Sequence, residues 1–263
     1  MLSTIGHAVP TFLTLPGRTG KPRRSGITHL LDKGLPVEQV RQQLAVCGPY
    51  VDVWKLGWGT AYLDPGLTEK LAVLDEHGVL ACTGGTLLEV AWQQGAVEAY
   101  LDWAAALGFP CVEISRGVAR MDLADKQELI ARAAERFIVL AEVGAKDAAA
   151  VADPGAWAQE AAADLAAGAT WIVTEGRETG TVGLFCADGS VRAAVVDAVV
   201  TAVGIDSTVF EAPLKEQQAW LVQRFGPDVN LANVAPGEAL GVEALRLGLR
   251  ADTFDPTVRV TSR

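Results

Sequence analysis

The sequence predicts a single α/β domain, a (β/α)8 TIM barrel with a short irregular N-terminal leader. Eight short apolar runs each end in a polar, charged or glycine residue, and a helix-like stretch follows each run. The runs are almost continuously apolar and rich in β-branched residues, which is typical of parallel strands covered on both faces. An open doubly wound sheet is the alternative, but no Gly-x-Gly-x-x-Gly follows the first run. Eight units in one uninterrupted chain therefore favour the barrel.

The predicted boundaries follow from these runs. We expect residues 1–26 to form the leader, 27–254 the barrel and 255–263 a C-terminal tail. Proline near helix starts, as at Pro36 and Pro154, and glycine just after helix ends, as at Gly108 and Gly204, agree with the usual preferences at helix termini. The predicted strands are Ile27–Asp32, Val51–Lys55, Val79–Gly84, Cys111–Ser115, Phe137–Glu142, Trp171–Glu175, Val209–Glu211 and Val229–Asn230.

Composition narrows the class of protein. The 263-residue chain is half hydrophobic, so it can bury a core without disulfides, and its net charge of −10 argues against a nucleic-acid partner. No apolar run is long enough to span a membrane, and the N-terminus lacks the pattern of a signal peptide. The four cysteines form no Cys-x-x-Cys pair, which indicates reduced thiols and a cytoplasmic location. Three tryptophans that are expected to face outward, Trp103, Trp157 and Trp220, suggest a homo-oligomer.

Charged and polar residues gather where the predicted strands end, and in a barrel these ends converge on one face. Ionised carboxylates beside buried strand residues are costly without a cation, and oxygen ligands suit a hard cation such as Mg²⁺. The three histidines are scattered, and His29 is expected to be a satisfied core residue, which argues against zinc. The residues expected at the mouth are Asp32, Lys33, Lys55, Glu89, Glu113, Ser115, Glu142, Lys146, Glu175, Arg177, Glu178, Glu211, Lys215, Asn230 and Asn233.

The cations at the mouth require an anion. Arg177 lies in a glycine-rich loop, Lys215 opens the helix after the seventh strand, and barrels often bind phosphate near strands seven and eight. Lys146 could form a Schiff base, act as a general acid or hold an anion, and the acidic surroundings favour the last two roles. The residues alone therefore indicate a metal-assisted lyase, an aldolase-like enzyme or a transferase acting on a small phosphorylated, carboxylated substrate.

From about residue 26 to 254 the sequence resembles the phosphosulfolactate synthase family of coenzyme M biosynthesis. The stretches that carry the resemblance are Leu31–Pro36, Lys55–Thr60, Gly84–Glu89, Val112–Ser115, Glu142–Gly144, Glu175–Gly180, Phe210–Pro213 with Gln217-Gln218, Val229–Asn233 and Gly248–Thr253. The resemblance implies a Mg²⁺-dependent barrel lyase in which sulfite adds to phosphoenolpyruvate, with Lys146 in the position of the acid that protonates C2. Small anions are thus the expected partners.

With the resemblance, each group of residues receives an expected role. Lys146, Glu142, Lys55 and Arg177 are expected to be catalytic, and Glu113, Glu175 and Glu211 to bind the metal. The residues expected to bind substrate are Asp32, Lys33, Ser115, Arg116, Glu178, Lys215, Asn230 and Arg250.

The chain departs from the family pattern on the fourth and fifth loops. Arg116 and Val118 stand where the family has an acid and a hydroxyl residue, and Ala145 replaces the first of two lysines. Arg116 is therefore expected to hold sulfite or a larger anion. An alternative is a related enzyme that adds a thiol, a hydroxyl or a larger anionic metabolite to phosphoenolpyruvate. A catalytically silent barrel that serves as a binding subunit is a third hypothesis.

Overall fold

A computed structural model describes residues 12–119, 121–144 and 152–254, and its eight parallel strands close into a barrel in chain order. The predicted (β/α)8 fold is confirmed. Each strand pairs with the next, and β1 pairs with β8 to close the ring. The strands are β1 Thr28–Asp32, β2 Val53–Leu56, β3 Leu80–Thr83, β4 Cys111–Ile114, β5 Ile138–Val143, β6 Trp171–Thr174, β7 Thr208–Glu211 and β8 Asn230–Val234.

Helices follow the strands and cover the outside of the barrel. Asp122 and Asp153 cap two of them, with side chains that accept hydrogen bonds from the backbone N–H groups of Asp125 and Gly155. None of the helices in the described ranges is long and apolar enough to cross a membrane. The helices are α1 Val37–Cys47, α2 Thr60–Leu63, α3 Leu67–Glu76, α4 Gly85–Gln93, α5 Val97–Leu107, α6 Leu123–Ala134, α7 Pro154–Ala166, α8 Ala193–Val203, α9 Lys215–Phe225 and α10 Ala239–Arg246.

The inside of the barrel is divided into an apolar layer and a charged layer. Side chains two residues apart on a strand face the same side, so Val53, Cys111 and Val209 in the apolar layer lie below residues 55, 113 and 211. A larger apolar core fills the space between the barrel wall and the helices. The charged residues are thereby held at the carboxyl ends of the strands, on a rigid support.

The tryptophans that suggested self-association do not face outward as expected. Trp157 is buried, and Trp103 and Trp220 are partly buried against the core between barrel and helices. These bulky side chains instead fill space where the helices pack on the barrel. The expectation of a homo-oligomer loses this basis and stays a prediction.

Three basic residues tie the irregular segment 12–26 to the end of the barrel opposite the strand carboxyl ends. Arg18 donates to Glu243 at 3.0 Å and to Asp228 at 2.5 Å. Lys21 donates to the backbone oxygens of residues 48 and 77, and Arg23 donates to Asp52 at 2.9 Å. The basic cluster of the leader is therefore structural.

Replacing Arg18 with alanine should lower the free energy of unfolding by about 3 kcal/mol, because it leaves the buried Glu243 carboxylate without its cation. Urea unfolding followed by circular dichroism measures the loss. Arg24→Ala is the matched control, since Arg24 is exposed and should change stability by less than about 0.5 kcal/mol. Equal stability of the two variants would contradict the structural role of Arg18.

Candidate active site

A cavity of about 350 Å³ opens at the carboxyl ends of the strands, and every strand or the loop after it contributes to its lining. This is the face where barrel enzymes carry out their chemistry. The lining residues are Leu31, Lys55, Trp58, Gly84, Gly85, Thr86, Glu113, Val118, Glu142, Glu175, Arg177, Glu178, Thr179, Glu211 and Asn233.

Lys55 lines the floor of the cavity between Glu113 and Glu211 and is buried. Its ammonium group donates to Glu113 at 2.9 Å and to Glu211 at 3.1 Å. Burial alone would lower the pKa of Lys55, but the carboxylates of Glu113, Glu211 and Glu142 outweigh it and raise the pKa well above the ordinary value. Lys55 is therefore a fixed positive charge at neutral pH and cannot serve as a general base.

Backbone N–H groups donate to the carboxylate oxygens of Glu113 and Glu211 that Lys55 does not contact. The Gly85 N–H donates to Glu113 at 2.9 Å, and the Gly176 and Arg177 N–H groups donate to Glu211 at 3.0 and 3.1 Å. Glycine is needed at position 176, because a Cβ there would lie 2.5 Å from the Glu211 carbonyl oxygen. The third and sixth loops thus fix the two carboxylates in place.

Three carboxylates form the cluster that fits a metal ion. Carboxylate oxygens of Glu113, Glu142 and Glu211 lie within 4.8 Å of one another. Glu142, which was expected to be catalytic, therefore joins this set in place of Glu175, which was expected to bind the metal. Glu175 lines the cavity and accepts a hydrogen bond from the Arg177 N–H at 2.7 Å. Three ionised carboxylates and one ammonium group carry a formal charge of −2, which a hard divalent cation would neutralise.

The rim of the cavity carries an ion pair between the first and sixth loops. Lys33 and Glu178 are 2.5 Å apart and both are exposed. The Lys33 ammonium also lies 5.8 Å from the centre of the Trp58 ring. Arg177 lines the cavity next to Glu178, so two cations and one acid border the opening. A rim with this excess of cations can attract an anion, and the anion can replace Glu178 as the partner of Lys33.

A family model described as (2R)-phospho-3-sulfolactate synthase matches residues 16–252. The chain belongs to the phosphosulfolactate synthase family. It is 39% identical over 245 residues to the phosphosulfolactate synthase of Bacillus subtilis strain 168, covering 92% of this chain and 97% of that protein. It is 41% identical over 237 residues to that of Methanocaldococcus jannaschii, covering 87% and 94%. These matches confirm the resemblance and identify the chain as an enzyme.

Solved structures support the fold alone. The 3-hexulose-6-phosphate synthase of Salmonella typhimurium superposes with a TM-score of 0.55 at 15% identity, covering 82% of this chain and 96% of that one. At this identity the similarity is one of architecture. Its barrel agrees with the closed eight-stranded sheet of this phosphosulfolactate synthase family member.

Asp32 and Asn230, both expected to bind substrate, lie away from the cavity. Asp32 alternates with the cavity-lining Leu31, so it faces the helices, where it accepts hydrogen bonds from Trp54 at 2.9 Å and Lys70 at 3.1 Å. Asn230 begins β8, whereas the sequence suggested that it ends the strand. It therefore bonds to the chain at the opposite end of the barrel, accepting from the Ile27 N–H at 2.9 Å.

Three cations that were expected to bind substrate also fall outside the lining. Arg116 makes a two-pronged pair with Glu160 of α7, at 2.9 and 3.0 Å. Lys215 pairs with Asp252 at 3.0 Å. Arg250 lies 3.8 Å from the same carboxylate. Each of the three cations thus has an acidic partner outside the cavity lining.

Ser115 is buried beside the cavity, and its hydroxyl donates to Glu89. Glu89 also accepts from the backbone N–H groups of Val118 and Ala119, at 2.6 and 2.5 Å, so it fixes the loop that brings Val118 to the lining. Ser115 is thus part of the wall behind the site. Lys146 and Ala145 lie outside the described residues.

The sequence did not single out Trp58, Thr86 or Thr179, which the structure adds to the lining. Trp58 has a left-handed backbone, with φ of 54°, and its ring lies beside the Lys33 ammonium at the rim. Nothing in the pattern of apolar residues signals such a conformation, although Trp58 lies in one of the stretches that resemble the family.

Proposed function

We propose that this enzyme adds sulfite to phosphoenolpyruvate and forms phosphosulfolactate. The observation that carries the proposal is the buried group of Lys55 and three glutamates on the cavity floor of a phosphosulfolactate synthase family member. A pocket that combines a fixed cation with a cluster of carboxylates able to bind a divalent cation suits a substrate with both a carboxylate and a phosphate.

The reaction forms one bond and uses one proton. The sulfur lone pair of sulfite attacks C3 of phosphoenolpyruvate, and the π electrons of the C2–C3 bond move onto the carboxylate. The enolate-like dianion then takes a proton at C2, while the phosphate ester stays intact. We propose Lys146 as the donor of this proton, on the basis of its position after β5 and the family resemblance.

Lys55 and Arg177 would supply positive charge where negative charge develops. Lys55 is held by Glu113 and Glu211 before substrate arrives, so little reorganisation is needed when the dianion forms. Arg177 lines the same cavity from the sixth loop and would hold the phosphate or the sulfite.

We propose that Mg²⁺ is bound by Glu113, Glu142 and Glu211. The fit rests on the close approach of their oxygens and on the formal charge of −2 at this floor. When bound, the ion would stabilise the negative charge that develops on the substrate carboxylate. The protein side chains would hold it on one side, leaving the cavity side for substrate oxygens and water.

Mg²⁺ should stabilise the protein, and more so as the pH rises. Burial raises the pKa of Glu113 above its ordinary value of 4.5, with the charges of Glu142 and Glu211 adding to it and Lys55 opposing it. Without metal, the folded protein therefore binds the proton of the Glu113 carboxyl group more tightly than the unfolded chain does. The resulting stabilisation of the folded state is fully present below pH 4.5 and is lost as the pH rises through the raised pKa of Glu113.

Because Mg²⁺ competes with that proton, its effect on thermal unfolding should be larger at about pH 8 than at about pH 5. At about 100 times the dissociation constant, the gain is about 2.7 kcal/mol. Differential scanning calorimetry with and without chelator measures it, and Glu113→Gln should remove most of the dependence. A shift that is equal at both pH values and in both proteins would contradict a site at Glu113.

The proposed activity is tested by incubating the protein with phosphoenolpyruvate, sulfite and Mg²⁺. Phosphorus NMR and mass spectrometry should detect a phosphorylated sulfonate with no release of inorganic phosphate. Sulfate in place of sulfite is the control, since its sulfur has no lone pair. A correctly folded protein that binds phosphoenolpyruvate but forms no sulfonate would overturn the proposal.

A second candidate is the addition of another nucleophile, and the observation that favours it is the side chain of Val118. Its isopropyl group lines the cavity where the family pattern has a hydroxyl. Arg116 gives no such support, because Glu160 holds it outside the cavity. Competition between sulfite and a small thiol in the same assay decides between the two: the thiol adduct should exceed the sulfonate only if this second candidate is right.

We also propose a cytoplasmic, self-associating enzyme. The four cysteines are free thiols, as expected in a reducing compartment. Exposed apolar side chains on α2, Tyr62 and Leu63, provide a surface that association would bury. Sedimentation of Leu63→Glu alongside the unaltered protein tests self-association, and a monomer in both samples would exclude it.

A further inference from the structure

Asn233 reaches the cavity because of an irregularity in β8. Thr28 of β1 pairs with Leu231, but Leu30 pairs with Val234, so two steps along β1 match three along β8. The extra residue is a bulge, and bulges redirect a side chain locally. Asn233 has a left-handed backbone there, with φ of 55°, and its side chain lines the cavity. Asparagine adopts this conformation more readily than most residues.

The amide oxygen of Asn233 has no hydrogen-bond partner among the described residues, although it is buried. A buried acceptor without a partner and a strained backbone each lower the stability of the folded protein. In the described part of the chain, the residues other than glycine with positive φ are Trp58, Arg177 and Asn233, and all three line this cavity. Such a concentration of strain at one site points to a role in the site.

His29 presents the complementary problem on the adjoining strand. It lies on β1 opposite the bulge, two residues before the cavity-lining Leu31, so it faces the same side as Leu31 and is fully buried inside the barrel. Neither ring nitrogen has a hydrogen-bond partner in the described ranges, so the expectation of a satisfied core histidine stays a prediction. Burial, with help from the charge of Lys55, lowers the pKa of His29 well below its ordinary value. The neutral ring offers one N–H donor.

We propose that Asn233 binds the substrate through its amide NH2 group, and that a buried water joins the amide oxygen to His29. The water would accept the His29 N–H and donate to the Asn233 oxygen, which satisfies both groups. The amide would then be oriented with its NH2 group towards the cavity. The ligand, a carboxylate or phosphate oxygen of phosphoenolpyruvate, rests on the proposed function.

An amide suits this position on electrostatic grounds. The floor already carries Glu113, Glu142 and Glu211, so an added carboxylate would repel an anionic substrate. A further cation would pair with these acids, as Lys55 does. The neutral NH2 group donates to an anion without competing for the carboxylates. Asn233 is thus assigned as a substrate-binding residue and His29 as a positioning residue.

Kinetics of two Asn233 variants test the first assignment. Asn233→Gly keeps the left-handed backbone without strain, and Asn233→Asp keeps the shape while exchanging the donor for a negative charge. Each should raise the KM for phosphoenolpyruvate at least about tenfold, as expected for a lost hydrogen bond to a charged group. His29→Phe should raise the same KM by about threefold to tenfold. Cys111→Ala, inside the barrel on another strand, is the control and should leave KM unchanged.

A spectroscopic measurement tests the link itself. The chain has three histidines, so the ring nitrogens of His29 can be assigned by NMR of isotope-labelled protein with His29→Phe as reference. Asn233→Gly should shift the His29 signal and Cys111→Ala should not. This readout needs no turnover, so it stands even if sulfite addition fails. Unchanged KM in the Asn233 variants of an active enzyme, or an unmoved His29 signal, would overturn the inference while leaving the proposed function intact.

Discussion

Replacing Lys55 with methionine should lower the rate of sulfite addition by about a thousandfold, the upper range for losing one preorganised charge-stabilising group. Lys55 is the cation that lies between Glu113 and Glu211 on the cavity floor. Without it, the carboxylates repel each other and the anionic substrate. Steady-state kinetics should show a fall in kcat, and calorimetric titration should show weaker binding of phosphoenolpyruvate.

Two further variants separate catalysis from folding in this experiment. Lys55→Met/Glu113→Gln removes one charge of each sign, so it should recover stability without recovering turnover. Lys33→Met removes the exposed cation of the rim and should have a far smaller effect on kcat. If Lys55→Met keeps more than about a tenth of the activity, the role given to the cavity floor is wrong.

Replacing Lys126 with methionine should lower the free energy of unfolding by about 3–5 kcal/mol, the usual loss when one member of a buried ion pair is removed. Lys126 of α6 is fully buried and donates to Glu160 at 2.7 Å and to Asp164 at 2.5 Å. It also donates to the backbone oxygen of Glu142 at 2.7 Å. The loss should therefore be accompanied by a lower affinity for Mg²⁺, because the strand end that carries Glu142 loses its support.

Urea unfolding and calorimetric titration with Mg²⁺ measure the two effects. Arg132→Ala is the matched control on the same helix, since its pair with Glu98 is exposed and should contribute less than about 1 kcal/mol. Lys126→Met/Asp164→Asn should recover part of the stability. A loss below about 1 kcal/mol for Lys126→Met would show that α6 does not brace the site.

The sequence predicted the order and nature of the strands because a parallel barrel demands buried, continuous apolar runs. Seven strands begin and end within about two residues of their predicted limits, the usual uncertainty of strand ends. The eighth was the exception. Asn230 appeared to end it, but the strand continues to Val234, because the asparagines at 230 and 233 interrupt the apolar pattern without interrupting the strand.

Residues of the site were predictable where the inward face of a strand is set by alternation. Lys55, Glu113, Glu142 and Glu211 each follow an inward apolar residue by two positions, and all four reach the cavity. Asp32 is the exception, because a shift of one position turns a side chain from the cavity to the helices.

Partners that are distant in sequence decided the remaining placements. Arg116 is paired with Glu160, forty-four positions away, and no local pattern announces such a contact. Glu142 rather than Glu175 completes the carboxylate cluster because the spacing of strands around the barrel sets which oxygens meet. The bulge that turns Asn233 inward depends on its pairing with β1 and is equally invisible in the sequence.

The most direct test of the proposed site is a crystal structure of the enzyme with phosphoenolpyruvate and Mg²⁺. We expect the ligand in the cavity at the strand carboxyl ends, with its anionic oxygens in hydrogen-bond contact with Lys55, Arg177 and Asn233. The metal should lie among Glu113, Glu142 and Glu211. Phosphoenolpyruvate bound elsewhere on the protein, with this cavity holding only solvent, would contradict the site and the function proposed for it.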